Sequence, residues 1–521
     1  MEKALLSGNE AVALGAYEAG VHVVTGYPGT PSSEIIPALI PYKEVNIEWS
    51  VNEKVALEVA MGASFCGARS LVTMKHVGVN VAADPLMTLS YTGVKGGLVL
   101  VSADDPDCNS SQNEQDNRHY ARFAKIPMLE PSDSQEARDF TKEAFRISEK
   151  YQTPVMLRIT TRICHTKTQV VFDKKRDEKA VEGFKKDPSC FVMIPSYARK
   201  KHAHVEERHI QLIEESESSR LNVIEKGEKP VGIITSGVSY QYVKEAADSE
   251  WIFKLGFSYP LPEKKLRDFA AKMEKVYVVE ELDPFLEEEL IYLGIDVVRR
   301  SAKFYLGELS TEKTIEILEK RFPKEQETIL PLPHAPSRPP VLCKGCAHRS
   351  VFSVLKKMDY IVTGDIGCYT LATLPPLSAL DTCVCMGAGV GHAQGFFKAK
   401  KDQRTVAVIG DSTFIHSGIA PLINAVYNKN QLTVVILDNR TTAMTGGQPH
   451  PGVDYTVRGE KTTALDFEAL GRALKLDTVR VVDSYNLEEV EESLMEAEQA
   501  KGVSLIVARR ACVLLKKREK I

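Results

Sequence analysis

Apolar runs of strand length alternate with helical stretches along most of the chain. VHVVTGYPG, SLVTMKH, GLVLVSADD and TPVMLRITT each end in turn or polar residues, the pattern of a mostly parallel sheet covered on both faces. Between the first two, NEKVALEVAMGASFCG repeats apolar residues at helical spacing, with Gly62, Ala63 and Gly67 suited to close packing. This alternation predicts a first α/β unit over residues 1–170. From 171 to 228 the composition turns to Lys, Glu and Arg, predicting a charged linker with one or two amphipathic helices. Its cluster Arg199–Lys200–Lys201 reads as an exposed face. A second α/β unit follows over 229–325, with PVGIITSGVSYQYVKEA as strand, Ser-Gly turn and helix, and KVYVVEELDPFLEEEL as strand and acid-rich helix start. PLPHAPSRPP holds five prolines in ten residues, so 326–340 reads as an extended connector. A third unit over 341–521 carries the strands DYIVTGDIG, TVAVIGDST, LTVVILDNR and VSLIVARRA. The predicted fold class is α/β, with three doubly wound units.

Composition adds exclusions. The 521 residues carry 66 basic and 70 acidic side chains, a formal charge of −4, and 43% are hydrophobic. That balance is of ordinary globular type and opposes nucleic-acid binding, which needs a concentrated surplus of Lys and Arg. No apolar run approaches the ~20 residues needed to cross a bilayer. The start MEKALLSGNEAVALGAYEAG, with Glu2 and Glu10, does not have the make-up of a signal peptide. A cytoplasmic, non-membrane protein is therefore expected. Six of ten cysteines lie in the last third, a grouping that reads as metal or redox chemistry and not as disulfides.

The candidate chemistry lies at strand ends. Gly410-Asp411-Ser412 closes an apolar strand ahead of a helix expected near Gly418, where open α/β sheets bind phosphates. An Asp after a strand is also a common helix cap. Asn439 ends the next strand, 28 residues after Asp411, so one strand–helix–strand crossover would bring both to one sheet edge. Two hard oxygen ligands beside a phosphate pocket suit Mg²⁺. Thr445-Gly446-Gly447-Gln448 follows, with glycines that permit close backbone approach to a ligand. Glu53 opens a helix whose interior is small and apolar, which suits a carboxyl kept protonated by burial; a first-turn glutamate also simply complements the helix dipole. Cys343-Lys344-Gly345-Cys346 is a C-x₂-C pair, Gly367-Cys368 follows the next strand, and Cys512 follows the last. A C-x₂-C alone is open among zinc, a redox dithiol and an iron–sulfur cluster.

The Gly-Asp…Asn pair resembles the diphosphate-binding motif of thiamine diphosphate enzymes, with Ser412 where the motif has Gly. That resemblance implies Asp411 and Asn439 as side-chain Mg²⁺ ligands and the Thr441 carbonyl as a third. It implies Ser412 and Gly446 as cofactor contacts, and Glu53 as the glutamate that drives the aminopyrimidine to its proton-abstracting tautomer. GYPGTPSSE, MKHVGVNVAADPLMTLSYTGVKGG, SSQNEQDNRHYARFAKIP, CKGCAHR, GDIGCYTL and LDNRTTAMTGGQPHPG are similar, in order, to the large subunits of indolepyruvate:ferredoxin oxidoreductases, within the 2-oxoacid:ferredoxin oxidoreductase superfamily. Thr30 holds the threonine of that superfamily's Tyr-Pro-x-Thr-Pro turn, which touches cofactor and substrate. The resemblance implies two thiamine-binding folds flanking a transketolase-C-terminal-like middle domain, and thiamine held between first and third units, within one chain or across a dimer. It also implies a [4Fe–4S] cluster on Cys343, Cys346, Cys368 and Cys512, with CoA as co-substrate. The implied reaction is oxidative decarboxylation of an aryl 2-oxoacid to the acyl-CoA, with ferredoxin as acceptor in an anaerobic setting. A smaller β subunit and an α2β2-type oligomer are implied as well.

Members of that family usually continue into a ferredoxin-like tail. This sequence ends at Arg-Glu-Lys-Ile521 without one, which places the electron exit on a partner or a separate ferredoxin. Cys383-Val-Cys385 alternates as in a strand; both point one way, as small buried residues or as partners of the C-x₂-C pair in a zinc site. His76, His119, His348, His416 and His450 receive no role. Three rivals stand beside the main reading: a non-oxidative thiamine decarboxylase, a zinc-bearing structural subunit, and an oxidoreductase for another 2-oxoacid.

Overall fold

The computed structural model describes residues 2–173, 175–320, 340–401 and 403–515. The connector predicted over 326–340 lies outside these residues except for Pro340. The chain divides into two compact units, Met1–Leu330 and Pro331–Ile521.

The first unit is built on a seven-stranded sheet in the order Phe257–Tyr259, Met128–Leu129, Val155–Thr160, Leu98–Asp104, Ser70–Lys75, Val23–Gly26, Asn46–Trp49. All neighbours are parallel except the outermost pair, Phe257–Tyr259 with Met128–Leu129. Every residue of Leu98–Asp104 is buried, as a central parallel strand requires. Glu2–Ser7 pairs separately with Lys167–Phe172. A second sheet orders Lys275–Val279, Val231–Ser236, Trp251–Leu255 and Asn222–Glu225, the last antiparallel.

The 229–325 segment is not packed apart from the first sheet. Its strand Phe257–Tyr259 joins the first sheet, and one apolar core runs from Leu98 and Met128 through Phe253, Tyr259 and Phe285. A buried ion pair fastens the same seam: Arg118, held by Asp116 at 2.5 Å, reaches across to Glu280 at 2.5 Å, while Arg158 meets Asp104 at 2.7 Å and Glu130 at 2.5 Å on the first segment's side. Removing one member of such a set strands the others in low dielectric. Arg118→Met should therefore cost the first unit about 3–5 kcal/mol, read by urea denaturation; a loss below about 1 kcal/mol would mean the clasp is dispensable.

The charged segment carries a short helix, Pro188–Phe191, and a long one, Pro195–Ser218. The long helix buries Val205 and Leu212 and is clamped at Glu215, whose carboxylate meets Arg146, Lys150 and Tyr151. Burial alone would raise the pKa of Glu215; those hydrogen bonds outweigh it and hold it down to about 2.

The second unit has one sheet, all parallel, in the order Ile361–Thr363, Thr405–Gly410, Leu432–Asp438, Val503–Arg509, Thr478–Asp483. Two expectations are corrected here. The helix expected near Gly418 starts at Asp411, passes through a π-turn at Phe414–Gly418 and continues as Ile419–Tyr427. Cys383-Val384-Cys385 is not a strand: no neighbouring strand pairs with it, and Thr382 makes only an isolated bridge to Thr363.

Candidate functional site

In the second unit the strands Thr405–Gly410 and Leu432–Asp438 are parallel neighbours, with Gly410 opposite Leu437. Asp411 and Asn439 therefore emerge at one sheet edge. Asp411 is buried; its Oδ1 accepts from the Ser412 N–H and its Oδ2 from the Arg440 N–H, each at 2.8 Å. Asn439 Oδ1 accepts from the Thr441 N–H at 3.0 Å, which turns the chain so that Thr441 follows directly. Thr442 Oγ1 donates to Ser412 Oγ at 3.0 Å, joining the two loops. Gly446 sits beyond, at φ 124 in the turn closed by Thr442 and Gln448, a conformation L side chains rarely adopt.

The edge has negative charge to spare. Burial and then the neighbouring Asp411 carboxylate raise the pKa of Asp438, against the Arg509 guanidinium at 2.7 Å. Asp438 Oδ1 has no hydrogen-bond partner among the described residues. Oxygen donors in mutual repulsion, one of them orphaned, fit a divalent cation. His450 Nε2 lies 3.1 Å from Asp411 Oδ2, and its Nδ1 accepts from the Gly452 N–H at 3.0 Å.

Two residues without a sequence-level role converge here. His348 stands in the first turn of the helix Ala347–Lys357, with Nε2 3.5 Å from Asn439 Nδ2 and Nδ1 unpartnered among the described residues. Burial lowers its pKa to about 4 against the pull of Asp411, so it is neutral near pH 7. Asp365 accepts from the N–H groups of Ile366, Gly387 and Gly389 at 2.8, 2.9 and 3.3 Å and fastens that turn to the strand end. Burial still lifts it to about 7. A histidine two residues after Cys346 and an Asp inside Gly-Asp-Ile-Gly-Cys were the available signals.

The thiols are gathered from three loops. The Cys346 N–H donates to the Cys343 carbonyl at 3.1 Å, closing the C-x₂-C turn around Gly345 at φ 75. Burial raises Cys346, with Cys343 and Cys512 adding to it; burial lifts Cys368 to about 11, with Cys346, Cys512 and Cys343 adding. Cys346 and Cys368 thus each feel the other thiols of the set. Among the described residues, no three of them lie within 4.8 Å of one another. Thiolates on a single tetrahedral zinc, with bonds of about 2.3 Å, sit only about 3.8 Å apart. Cys383 faces elsewhere, its Sγ 3.5 Å from the Asp365 carbonyl. The thiol set touches the acidic edge through the backbone: the Cys512 N–H donates to the Asn439 carbonyl at 2.9 Å.

Glu53 and Thr30 belong to the first unit. Asn52 caps the helix Glu53–Phe65 by accepting from the Val55 N–H, and Glu53 is buried at its first position. A Cβ on Gly78 would come within 2.7 Å of Glu53 Cγ and Oε1, so the glycine leaves the space that the carboxyl occupies. A buried acid in a cradle of that kind fits the aminopyrimidine end of thiamine. Thr30 follows Gly29, which packs on the Lys75 stem, and the Thr30 carbonyl accepts from Ser110 Oγ at 3.5 Å. A further carboxylate–histidine group, Asp116, His119 and Asp283, is compact enough for a metal, but Asp116 is already paired with Arg118.

Residues 365–508 match the family described as thiamine pyrophosphate enzyme, C-terminal TPP binding domain. Residues 14–226 match the thiamine diphosphate-binding domain of pyruvate flavodoxin/ferredoxin oxidoreductases. The indolepyruvate oxidoreductase subunit IorA of Methanothermobacter marburgensis is 42% identical over 98% of this chain and 87% of its own length. That of Archaeoglobus fulgidus is 42% identical over 99% and 87%. Among solved structures, the 2-oxoglutarate:ferredoxin oxidoreductase of Magnetococcus marinus, with 2-oxoglutarate, coenzyme A and succinyl-CoA bound, shares the fold at TM-score 0.51. It is 17% identical and covers 61% of this chain and 65% of that one.

Proposed function

The chain belongs to the IorA family of indolepyruvate oxidoreductase subunits, thiamine-dependent 2-oxoacid:ferredoxin oxidoreductases, and from that premise we propose that it oxidatively decarboxylates an aryl 2-oxoacid of the indolepyruvate or phenylpyruvate type to its acyl-CoA. Electrons leave through a [4Fe–4S] cluster to ferredoxin or a ferredoxin-like subunit. A smaller subunit completes the enzyme, as the subunit names of the relatives suggest.

Thiamine diphosphate, when bound, supplies the nucleophilic carbon and the electron sink for decarboxylation. Glu53 would hydrogen-bond the aminopyrimidine ring, and Thr30 would orient substrate. Asp411, Asn439 and the Thr441 carbonyl hold Mg²⁺; Ser412 and Gly446 line the diphosphate. Cys343, Cys346, Cys368 and Cys512 would hold the cluster, whose chemistry would be one-electron acceptance. The observation that carries the reading is the four-thiol set tied to the acidic edge by the Cys512–Asn439 hydrogen bond.

The substrate is tested on enzyme purified anaerobically with its partner subunit, with CoA and a viologen or ferredoxin acceptor. Phenylpyruvate and indolepyruvate should exceed pyruvate and 2-oxoglutarate by about tenfold or more in kcat/KM. A preference for pyruvate or 2-oxoglutarate would contradict the aryl assignment, and aldehyde release without an acceptor would contradict the oxidative one. Asp411→Ala should weaken thiamine diphosphate binding about 10- to 100-fold in a cofactor titration; unchanged affinity would remove Asp411 from the site.

A further inference from the structure

The end of the strand Ser70–Lys75 meets the Gly29–Thr30 turn in the first unit, and the last residue of that strand is a cation without a counter-ion. Lys75 is half-buried. Its stem lies against Gly29, where a Cβ would come within 3.0 Å of Lys75 Cγ and Cδ. Nζ donates to the Ser110 carbonyl at 2.8 Å, and no other hydrogen bond or ion pair reaches it among the described residues. Asp105 and Glu53 act on it only from farther away. The oxygens of Asp105 are spent nearby: Oδ2 accepts from the Ser110 N–H and Ser111 Oγ at 2.8 and 2.6 Å, and Oδ1 from Thr161 Oγ1 at 2.8 Å. Desolvation pushes the Lys75 pKa down, opposed by Asp105, Glu53 and Cys108. A cation drawn from water, with one neutral hydrogen-bond partner and no carboxylate in ion-pair contact among the described residues, is a place for an anion.

We propose that Lys75 binds the C1 carboxylate of the 2-oxoacid, beside Thr30 and on the Glu53 side of the reaction. This rests on the reading of Glu53 and Thr30 given above. Every 2-oxoacid brings one carboxylate next to its keto carbon, and an ammonium is a point-charge partner for it. Decarboxylation breaks the C1–C2 bond, carries that charge off with the electron pair into the cofactor, and releases C1 as neutral CO₂. Lys75 grips the carboxylate without taking part in the bond cleavage, so its removal should show mainly in KM.

The test uses holoenzyme with its partner subunit, as wild type, Lys75→Met and Lys75→Arg, on whichever 2-oxoacid the wild type turns over. Lys75→Met should raise KM about 10- to 100-fold, with kcat changed by less than about threefold, and Lys75→Arg should recover part of the loss. Phenylacetaldehyde, the phenylpyruvate skeleton without its carboxylate, should inhibit wild type and Lys75→Met equally. Thiamine diphosphate affinity should also be unchanged. A lysine that only braces Ser110 would weaken charged and neutral ligands alike, and that result, or an unchanged KM, overturns the proposal. A wild type that turns over pyruvate best refutes the aryl assignment and leaves the Lys75 test intact. No turnover of any 2-oxoacid overturns both.

Discussion

Glu53→Gln leaves thiamine diphosphate bound and lowers turnover about 10²- to 10⁴-fold, the range carried by one positioned proton-transfer group. The substitution keeps the shape that Gly78 accommodates, so the amide occupies the same cradle against the helix Glu53–Phe65. It loses only the carboxyl's capacity to give up and take back a proton. Deuterium exchange at the thiamine C2 position, quenched in acid and read by NMR, isolates that step from substrate binding. Exchange should slow by a factor similar to turnover. Exchange at the wild-type rate would take Glu53 out of the mechanism, whatever happened to kcat.

Cys368→Ser should be the most damaging change in the second unit. Cys368 is half-buried, and both it and Cys346 are pushed up by burial and by the other thiols of the set. Four deprotonated sulfurs at that spacing repel one another unless bound iron supplies positive charge. Loss of one buried ligand should take iron from about four per chain to near zero and acceptor-linked turnover down by at least about 10³-fold. Cys383→Ser is the control. Its sulfur faces the Asp365 carbonyl, so iron content should stay at the wild-type level. If Cys368→Ser kept its iron while Cys383→Ser lost it, the ligand set would have to be redrawn.

The acidic edge was legible because its information is local. Gly-Asp at one strand end and Asn at the next, one crossover apart, can only meet if the two strands are parallel neighbours, as Thr405–Gly410 and Leu432–Asp438 are. The helix expected near Gly418 begins earlier because the chain enters helix at Asp411 and absorbs the irregularity in a π-turn, which has no sequence signature. Cys383-Val-Cys385 has strand alternation, but a strand also needs a neighbour to pair with, and alternation says nothing of that. The pairing of Phe257–Tyr259 with Met128–Leu129 joins residues more than a hundred apart, beyond any periodicity argument. His348, Asp365 and Lys75 share one reason for being missed. Their chemistry comes from burial, a tertiary property, while a histidine on an amphipathic helix and a lysine at a strand end read as ordinary surface residues.

The enzyme should be purified without oxygen, together with its partner subunit, and analysed for iron, acid-labile sulfide, zinc and thiamine diphosphate. A cluster set beside a thiamine site predicts about four irons and four sulfides for each thiamine diphosphate, without stoichiometric zinc. One zinc per chain with neither iron nor sulfide would contradict it.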